Sequence, residues 1–268
     1  MPFVEASGAK IYYELHGEGP PLLLVPGFGC TVEIYFAQTP VLSMHFRTIV
    51  FDPRGAGRSD TPADGYSMQV YADDCVAVLH DAGFDSAHVL GTSFGGMVAQ
   101  NLAVRHPDAV RRLILGCTTP GGAHHVLPPP ENLATFLAAL DVDDPAAATR
   151  MRYPLHYSDT YIAQHDDEIV ARSIDTAALR SSPVGLAGQL AAVNGHDTFD
   201  GLPSIPAPTL VTHGDLDGVV PVENGRILAR RIPNARLVLY EGAKHMFFVE
   251  RAAEFNRDII EFLEENER

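Results

Sequence analysis

Gly91-Thr92-Ser93-Phe94-Gly95-Gly96 sets a serine inside a G-x-S-x-G string, directly after the apolar run His88-Val89-Leu90 and directly before Met97-Val98-Ala99-Gln100-Asn101-Leu102. The string alone arises often by chance; a strand before it and a helix after it give it meaning, because a sharp strand-to-helix turn lifts the hydroxyl clear of the chain. Glycines two positions to either side suit such a turn, since side chains there would strike neighbouring backbone while the nucleophile holds strained angles. Ser93 Oγ would then stand at the carboxyl end of a sheet, beside a helix N-terminus whose dipole favours developing negative charge. The competing reading is a serine that only N-caps the following helix.

A serine hydroxyl is a weak nucleophile until a base takes its proton, and the base needs an orienting group. Two later loops offer both. After Thr209 to Thr212 comes His213-Gly214-Asp215-Leu216-Asp217-Gly218-Val219-Val220-Pro221, and after Arg236 to Tyr240 comes Glu241-Gly242-Ala243-Lys244-His245-Met246. His213 closes a buried strand run and reads as a core histidine. His124, His125, His156 and His165 show no HExxH or comparable spacing, so no metal site is expected.

These residues need elements to hold them. Phe3-Val4-Glu5-Ala6 and Ile11 to Leu15, around a glycine-containing turn, predict an antiparallel hairpin. Leu22 to Val25, Thr48 to Phe51, His88 to Leu90, Leu113 to Leu115, Thr209 to Thr212 and Arg236 to Tyr240 are short, continuously apolar runs, the look of buried parallel strands. Helical spacing lies between most of them, at Met68 to Ala82, Phe94 to Val104, Glu223 to Arg231 and Ala253 to Glu265, which makes a series of βαβ units. The first of these helices follows Ser67, turns Val70, Tyr71, Val76, Val78 and Leu79 inward, and carries Asp73 and Asp74 on its polar side. Between Thr118 and Pro208 no strand run appears. Gly121-Gly122, Pro128-Pro129-Pro130 and helix-forming pieces at Leu133 to Leu140, Ala146 to Met151, Glu168 to Leu179 and Val184 to Val193 read as a helical insertion with too little apolar surface to fold alone.

Taken in order, Val25-Pro26-Gly27-Phe28-Gly29, Asp52-Pro53-Arg54-Gly55-Ala56-Gly57-Arg58-Ser59, the Ser93 turn, Gly214-x-x-Asp217 and Gly242-x-x-His245 resemble the α/β-hydrolase superfamily over essentially the whole chain. The resemblance implies an α/β-hydrolase fold: a mostly parallel central sheet of about eight strands flanked by helices, with core residues 1–117 and 209–268 and an inserted helical cap at 118–208. It implies Ser93 as nucleophile, His245 as general base and Asp217 as the acid, with Asp215 as rival acid. The position after the preceding strand, Cys117-Thr118-Thr119, offers no carboxylate. The backbone N–H groups of Phe28 and Phe94 become the oxyanion hole, and Pro26 stands where many members have histidine. The glycine-rich basic segment Asp52 to Ser59 has neither a Lys-Ser/Thr ending nor G-x-G-x-x-G, and reads as a structural turn rather than a phosphate cradle.

The implied chemistry is two-step acyl transfer to water from a small carboxylic ester or lactone, without cofactor or metal. The Pro-Gly-Phe-Gly loop, small cap and length are similar to the 3-oxoadipate enol-lactonase-like branch. Dehalogenase and epoxide hydrolase chemistry need a carboxylate where Ser93 stands, and the chain has no tryptophan to supply an indole donor to halide. Perhydrolysis, C–C bond hydrolysis with the same triad, and a low-turnover ligand receptor on a hydrolase fold remain as alternatives. For the substrate side, Leu137, Met151 and Tyr161 offer apolar surface, and Phe136, Leu140, Tyr153, Tyr157 and Val219 are the expected contacts. Arg150, Arg152, Arg172 and Arg180 are candidates to pair a carboxylate, against the plainer reading of solvated faces and a Glu168–Arg172 i,i+4 pair.

Composition narrows the partners. The 268 residues, 46% hydrophobic and 20% charged, have a globular balance. Nineteen Lys and Arg against 34 Asp and Glu give a net charge of −15, which repels nucleic acid and anionic lipid and suits neutral substrates. Cys30, Cys75 and Cys117 show no close pairing, no leader or spanning segment is evident, and a reducing, cytoplasmic setting is expected. The oligomeric state stays open.

Overall fold

The computed structural model describes residues 2–265; Met1 and residues 266–268, assigned above to the two ends of the core, lie outside the described residues. In chain order the elements are β1 (Phe3–Ala6), β2 (Ala9–His16), β3 (Pro21–Val25), α1 (Thr39–Leu42), β4 (Arg47–Phe51), α2 (Met68–Asp81), β5 (Ala87–Thr92), α3 (Phe94–Arg105) and β6 (Val110–Gly116). Then come the helices α4 (Pro130–Ala138), α5 (Pro145–His156), α6 (Asp159–Asp175) and α7 (Pro183–Asn194). The sequence closes with β7 (Thr209–Gly214), α8 (Glu223–Arg231), β8 (Ala235–Tyr240), α9 (Phe247–Glu250) and α10 (Ala252–Glu264).

The strands form an eight-stranded sheet in the order β1-β2-β4-β3-β5-β6-β7-β8. β1 pairs antiparallel with β2, and β2 antiparallel with β4; every later pair is parallel. Side chains alternate across the pleat, so Leu22 and Leu24 of β3 enter one apolar cluster with α1, α9 and α10, while Leu23 and Val25 enter the other with α2, α3 and α8. Both sheet faces are thereby covered, which is why these strands read as continuous apolar runs. The central strands β3, β5, β6 and β7 end side by side, and the loops that leave those ends carry the chemistry.

Two sequence expectations change. Asp74, expected on the polar side of α2, is fully buried and accepts two hydrogen bonds of 2.6 Å from Arg54. Arg54 comes from the glycine-rich turn after β4 and also donates to Ala6 O at 3.1 Å. The charge of that turn is therefore spent inward, and Asp52 accepts from the Val32 and Arg58 N–H groups at 2.9 Å each. Helix α6 begins at Asp159 rather than Glu168, because Ser158 Oγ caps the Tyr161 N–H at 3.2 Å and its Tyr161, Ile162, Ile169 and Val170 pack on the second cluster.

The return from the inserted helices also belongs to the core. Ala192, Leu202, Ile205 and Ala207 are buried in the first cluster, and Thr198 Oγ1 donates to Gln100 Oε1 of α3 at 2.7 Å. The excursion starts and ends at one place: Leu113 N–H bonds Pro208 O at 3.0 Å and Cys117 N–H bonds Thr212 O at 2.9 Å.

Candidate active site

Ser93 joins β5 to α3 with φ 55° and ψ −119°, a left-handed, strained position for a non-glycine residue. What holds it there is close backbone contact. A Cβ on Gly95 would lie 1.9 Å from Val25 O, and one on Gly91 2.2 Å from Gly95 O, so only glycine lets α3 start this tightly against β3 and β5. The Ser93 N–H donates to Gly116 O at 2.8 Å and its carbonyl accepts from Thr118 Oγ1 at 2.8 Å, which fixes the turn against β6.

The structure brings Ser93, His245 and Asp217 together. Ser93 Oγ lies 3.1 Å from His245 Nε2, and His245 Nδ1 lies 2.8 Å from Asp217 Oδ2 and 3.0 Å from Oδ1. An ionised carboxylate only accepts, so Nδ1 carries the proton and Nε2 presents its lone pair to the serine. Asp217 Oδ1 also accepts the Val219 and Val220 N–H groups at 2.8 and 2.9 Å. Burial alone would raise the Asp217 carboxyl, but the adjacent His245 imidazole and the hydrogen bonds from His213 and His245 hold it well below the usual carboxylate range. The rival Asp215 faces elsewhere and accepts the Gly242 N–H at 2.7 Å. His213 is fully buried, as a core histidine should be, yet its Nε2 donates to Val220 O at 2.9 Å and approaches Asp217 Oδ2 at 3.3 Å, a contact the sequence does not announce.

The loop after β3 lies against the serine, with a Cβ on Gly27 only 3.8 Å from Ser93 Cβ. Neither the Phe28 nor the Phe94 N–H is bonded to any described residue, and their rings meet edge to face at 6.4 Å. The next N–H, that of Gly29, donates to Gln189 Oε1 of α7 at 2.7 Å. Gln189 is fully buried, and sequence reasoning missed it because a glutamine inside a mostly apolar helix carries no motif. Its bond fixes the loop from the insertion side and leaves the Phe28 donor unclaimed.

A cavity of about 470 Å³ opens beside this centre between the loop and helices α4 to α7. Phe28, His156 and Met246 border it, as do the expected Phe136, Leu140 and Tyr157. Tyr153 and Val219 correct the sequence reading, because neither lines the cavity. Tyr153 points into the insertion's own interior and donates to Asp166 Oδ1 at 2.7 Å, while Val219 serves through its backbone at Asp217. Of the arginines, Arg150 is exposed and paired with Asp166 at 2.7 Å, whereas Arg152, Arg172 and Arg180 line the cavity. His156, which the sequence offered only as a metal candidate, sits with its ring centroid 5.8 Å from that of His245; burial, then His245 and Arg152, push its pKa well below the ordinary value, so it is neutral.

Among the described residues, Cys117, Asp217 and His245 place donor atoms within 4.8 Å of one another. Burial and then Asp217 raise the Cys117 thiol well above its usual pKa, so it is a protonated neighbour of Asp217 and His245 rather than a thiolate ligand. All three cysteines are unpaired among the described residues, and no described helix is long and apolar enough to cross a membrane.

Comparison with known proteins agrees with this fold. The sequence profile of a family described as alpha/beta hydrolase fold matches residues 20–252. The poly(3-hydroxyalkanoate) depolymerase of Ectopseudomonas oleovorans is 31% identical, over 91% of this chain and 84% of that protein. The crystal structure of the enol-lactonase from Burkholderia xenovorans LB400 superposes with a TM-score of 0.86 at 26% identity, over 98% of this chain and all of that one (100%). Est816, described as an N-acyl homoserine lactone degrading enzyme, superposes at 0.82 with 32% identity, covering 97% and 100% of the two chains.

Proposed function

Because the chain belongs to the alpha/beta hydrolase fold family, we propose that it hydrolyses a small carboxylic ester or lactone through an acyl-enzyme on Ser93. The observation that carries this reading is the unbroken path from Asp217 through His245 to Ser93 Oγ, with contacts of 2.8 and 3.1 Å. His245 Nε2 takes the hydroxyl proton as Ser93 Oγ bonds to the carbonyl carbon. The carbonyl oxygen, now an oxyanion, accepts the Phe28 and Phe94 N–H groups. Collapse breaks the bond to the leaving oxygen, which receives the proton from His245. Water then loses a proton to Nε2 and attacks the acyl carbon, and Ser93 departs with that proton. In a lactone both fragments leave as one hydroxy acid.

The cavity favours a small molecule over a polymer or nucleic acid, given its volume and the chain's acidity. The names of the lactone-degrading and polyester-degrading relatives favour a carboxylic ester bond as the target. Turnover of 4-nitrophenyl acetate tests the reading. The wild type should exceed Ser93→Ala by about 10⁴-fold or more in kcat/KM, and a quenched reaction should show an acetyl adduct on the peptide containing Ser93. Equal rates for the two proteins would sink it.

A further inference from the structure

We infer that the cavity beside Ser93 contains a seat for a carboxylate, built on Arg152 and Arg180, so that the ester or lactone cleaved here carries an acid group; this rests on the hydrolase reading above. Arg152, on α5, is largely enclosed and lines the cavity, yet it makes no hydrogen bond or ion pair with any described residue. Two other enclosed arginines, Arg54 and Arg58, are neutralised in place. Arg54 forks onto Asp74, and Arg58 reaches Asp52 and Glu33 at 3.1 Å each. A desolvated guanidinium without an acceptor is costly, so an unpaired one facing a cavity calls for an anion from outside the chain.

The surroundings of Arg152 sharpen this. Burial and then the neighbouring Arg180 lower its pKa, the direction expected of a cation without a counter-ion. Among the described residues Arg180 itself holds only the neutral Ser173 Oγ, at 3.1 Å. A third cavity cation, Arg172, is stacked 3.4 Å over the Phe36 ring centroid. The acids that line the same space do not cancel these charges: Glu33 is committed to Arg58, and Asp143 is exposed. Two guanidinium groups converging on one pocket form a fork for a carboxylate, which would relieve their repulsion.

Position links the seat to the reaction. Arg152 borders the cavity together with Cys30, and the Cys30 thiol donates to Phe28 O at 3.4 Å, so Arg152 shares its space with the loop after β3. One turn along α5, His156 faces His245. A substrate with its carbonyl at Ser93 thus runs past Phe28 and neutral His156 to reach Arg152. The net charge of −15 pointed to neutral substrates, but this local excess of cations reverses that expectation for the pocket.

The test compares mono-4-nitrophenyl glutarate, with the acid on the acyl side, and 4-butyryloxybenzoate, with the acid on the alcohol side, against neutral 4-nitrophenyl pentanoate. In Arg152→Gln, kcat/KM for one anionic ester relative to the neutral one should fall about thirty-fold or more, chiefly through KM. Arg152→Lys should recover part of it, and Arg180→Gln, at an exposed position that tolerates substitution, should lower the same ratio. Arg150→Gln, outside the cavity, should leave the ratio alone. Unchanged ratios in both Arg152→Gln and Arg180→Gln overturn the seat while leaving the hydrolase reading intact. If the wild type turns over none of the esters, the hydrolase reading fails, and calorimetric binding of monomethyl against dimethyl glutarate decides the seat. A preference for the monoanion that Arg152→Gln abolishes supports it; equal binding of the two refutes it.

Discussion

Two aspartates stand two residues apart after β7, and their roles are divided by what faces them. Asp217 meets His245 at 2.8 Å and Asp215 meets a backbone N–H at 2.7 Å. Asp217→Asn leaves the shape but turns an amide N–H toward Nδ1, which moves the imidazole proton to Nε2, and should lower kcat by about 10³–10⁴-fold. Asp215→Asn should cost far less, and steady-state kinetics showing the opposite ranking would move the acid to Asp215. At this scale the sequence is informative wherever chemistry is bound to local spacing: Ser93 between its glycines, Asp217 three residues past Gly214, His245 three past Gly242. It is silent on Gln189 and on which arginine lacks a partner. Those properties depend on contacts from α7 and α5 to loops far away in the chain, and no periodicity encodes them.

At the scale of elements, the strands were legible because burial on both faces leaves only apolar runs. Helix α2 was legible from its Ser67 cap, but not the burial of Asp74, since a charge on a helix signals solvent unless its partner is known. The inserted helices were legible as helices, not as to how they dock. Helix α7 docks through a backbone contact: a Cβ on Gly185 would lie 2.0 Å from Gly55 O, and Gly29 meets Leu186 of the same helix at 3.2 Å by the same construction. Gly185→Ala should therefore lift α7, cost about 1–3 kcal/mol in urea denaturation, and lower kcat by loosening the Gln189 bond to Gly29. Val184→Ala, one residue away and half exposed, is the control. Equal stability of the two variants would show that α7 does not depend on this contact.

For the whole molecule, the buried histidines set the response to acid. Burial pushes His88 and His196 down to about 4, and takes His156 well below its ordinary value. His196 shows why: its Nε2–H donates to Thr119 O at 3.0 Å while Nδ1 accepts from Asn101 Nδ2 at 3.2 Å, leaving no place for a second proton. Each such group is neutral when folded but takes a proton near pH 6.5 when unfolded. Their stabilising contribution is complete above about pH 6.5 and is lost as pH falls through the folded values near 4. Asp74, raised to about 6 by burial, acts in the opposite sense over part of that window. Three histidines outweigh it, so the melting temperature should drop by about 5 °C or more between pH 7 and pH 5, and His196→Asn should flatten that slope. A melting temperature that rises on acidification would contradict the neutral histidines.

The stretch from residue 118 to 208 leaves the sheet and rejoins it on hydrogen-bonded neighbours, Cys117 on Thr212 and Leu113 on Pro208. The entropy of closing a loop grows only with the logarithm of its length, about 0.6 kcal/mol for each doubling. Strand pairing between β6 and β7 is therefore almost indifferent to what lies between them. Over generations the helices and turns that carry Arg152, His156 and Arg180 can lengthen, shorten or be exchanged while Ser93, Asp217 and His245 stay in register. On the reading proposed above, the groups that would choose the substrate and those that would break its bond sit largely on separate stretches of chain, coupled through the bond from Gly29 to Gln189.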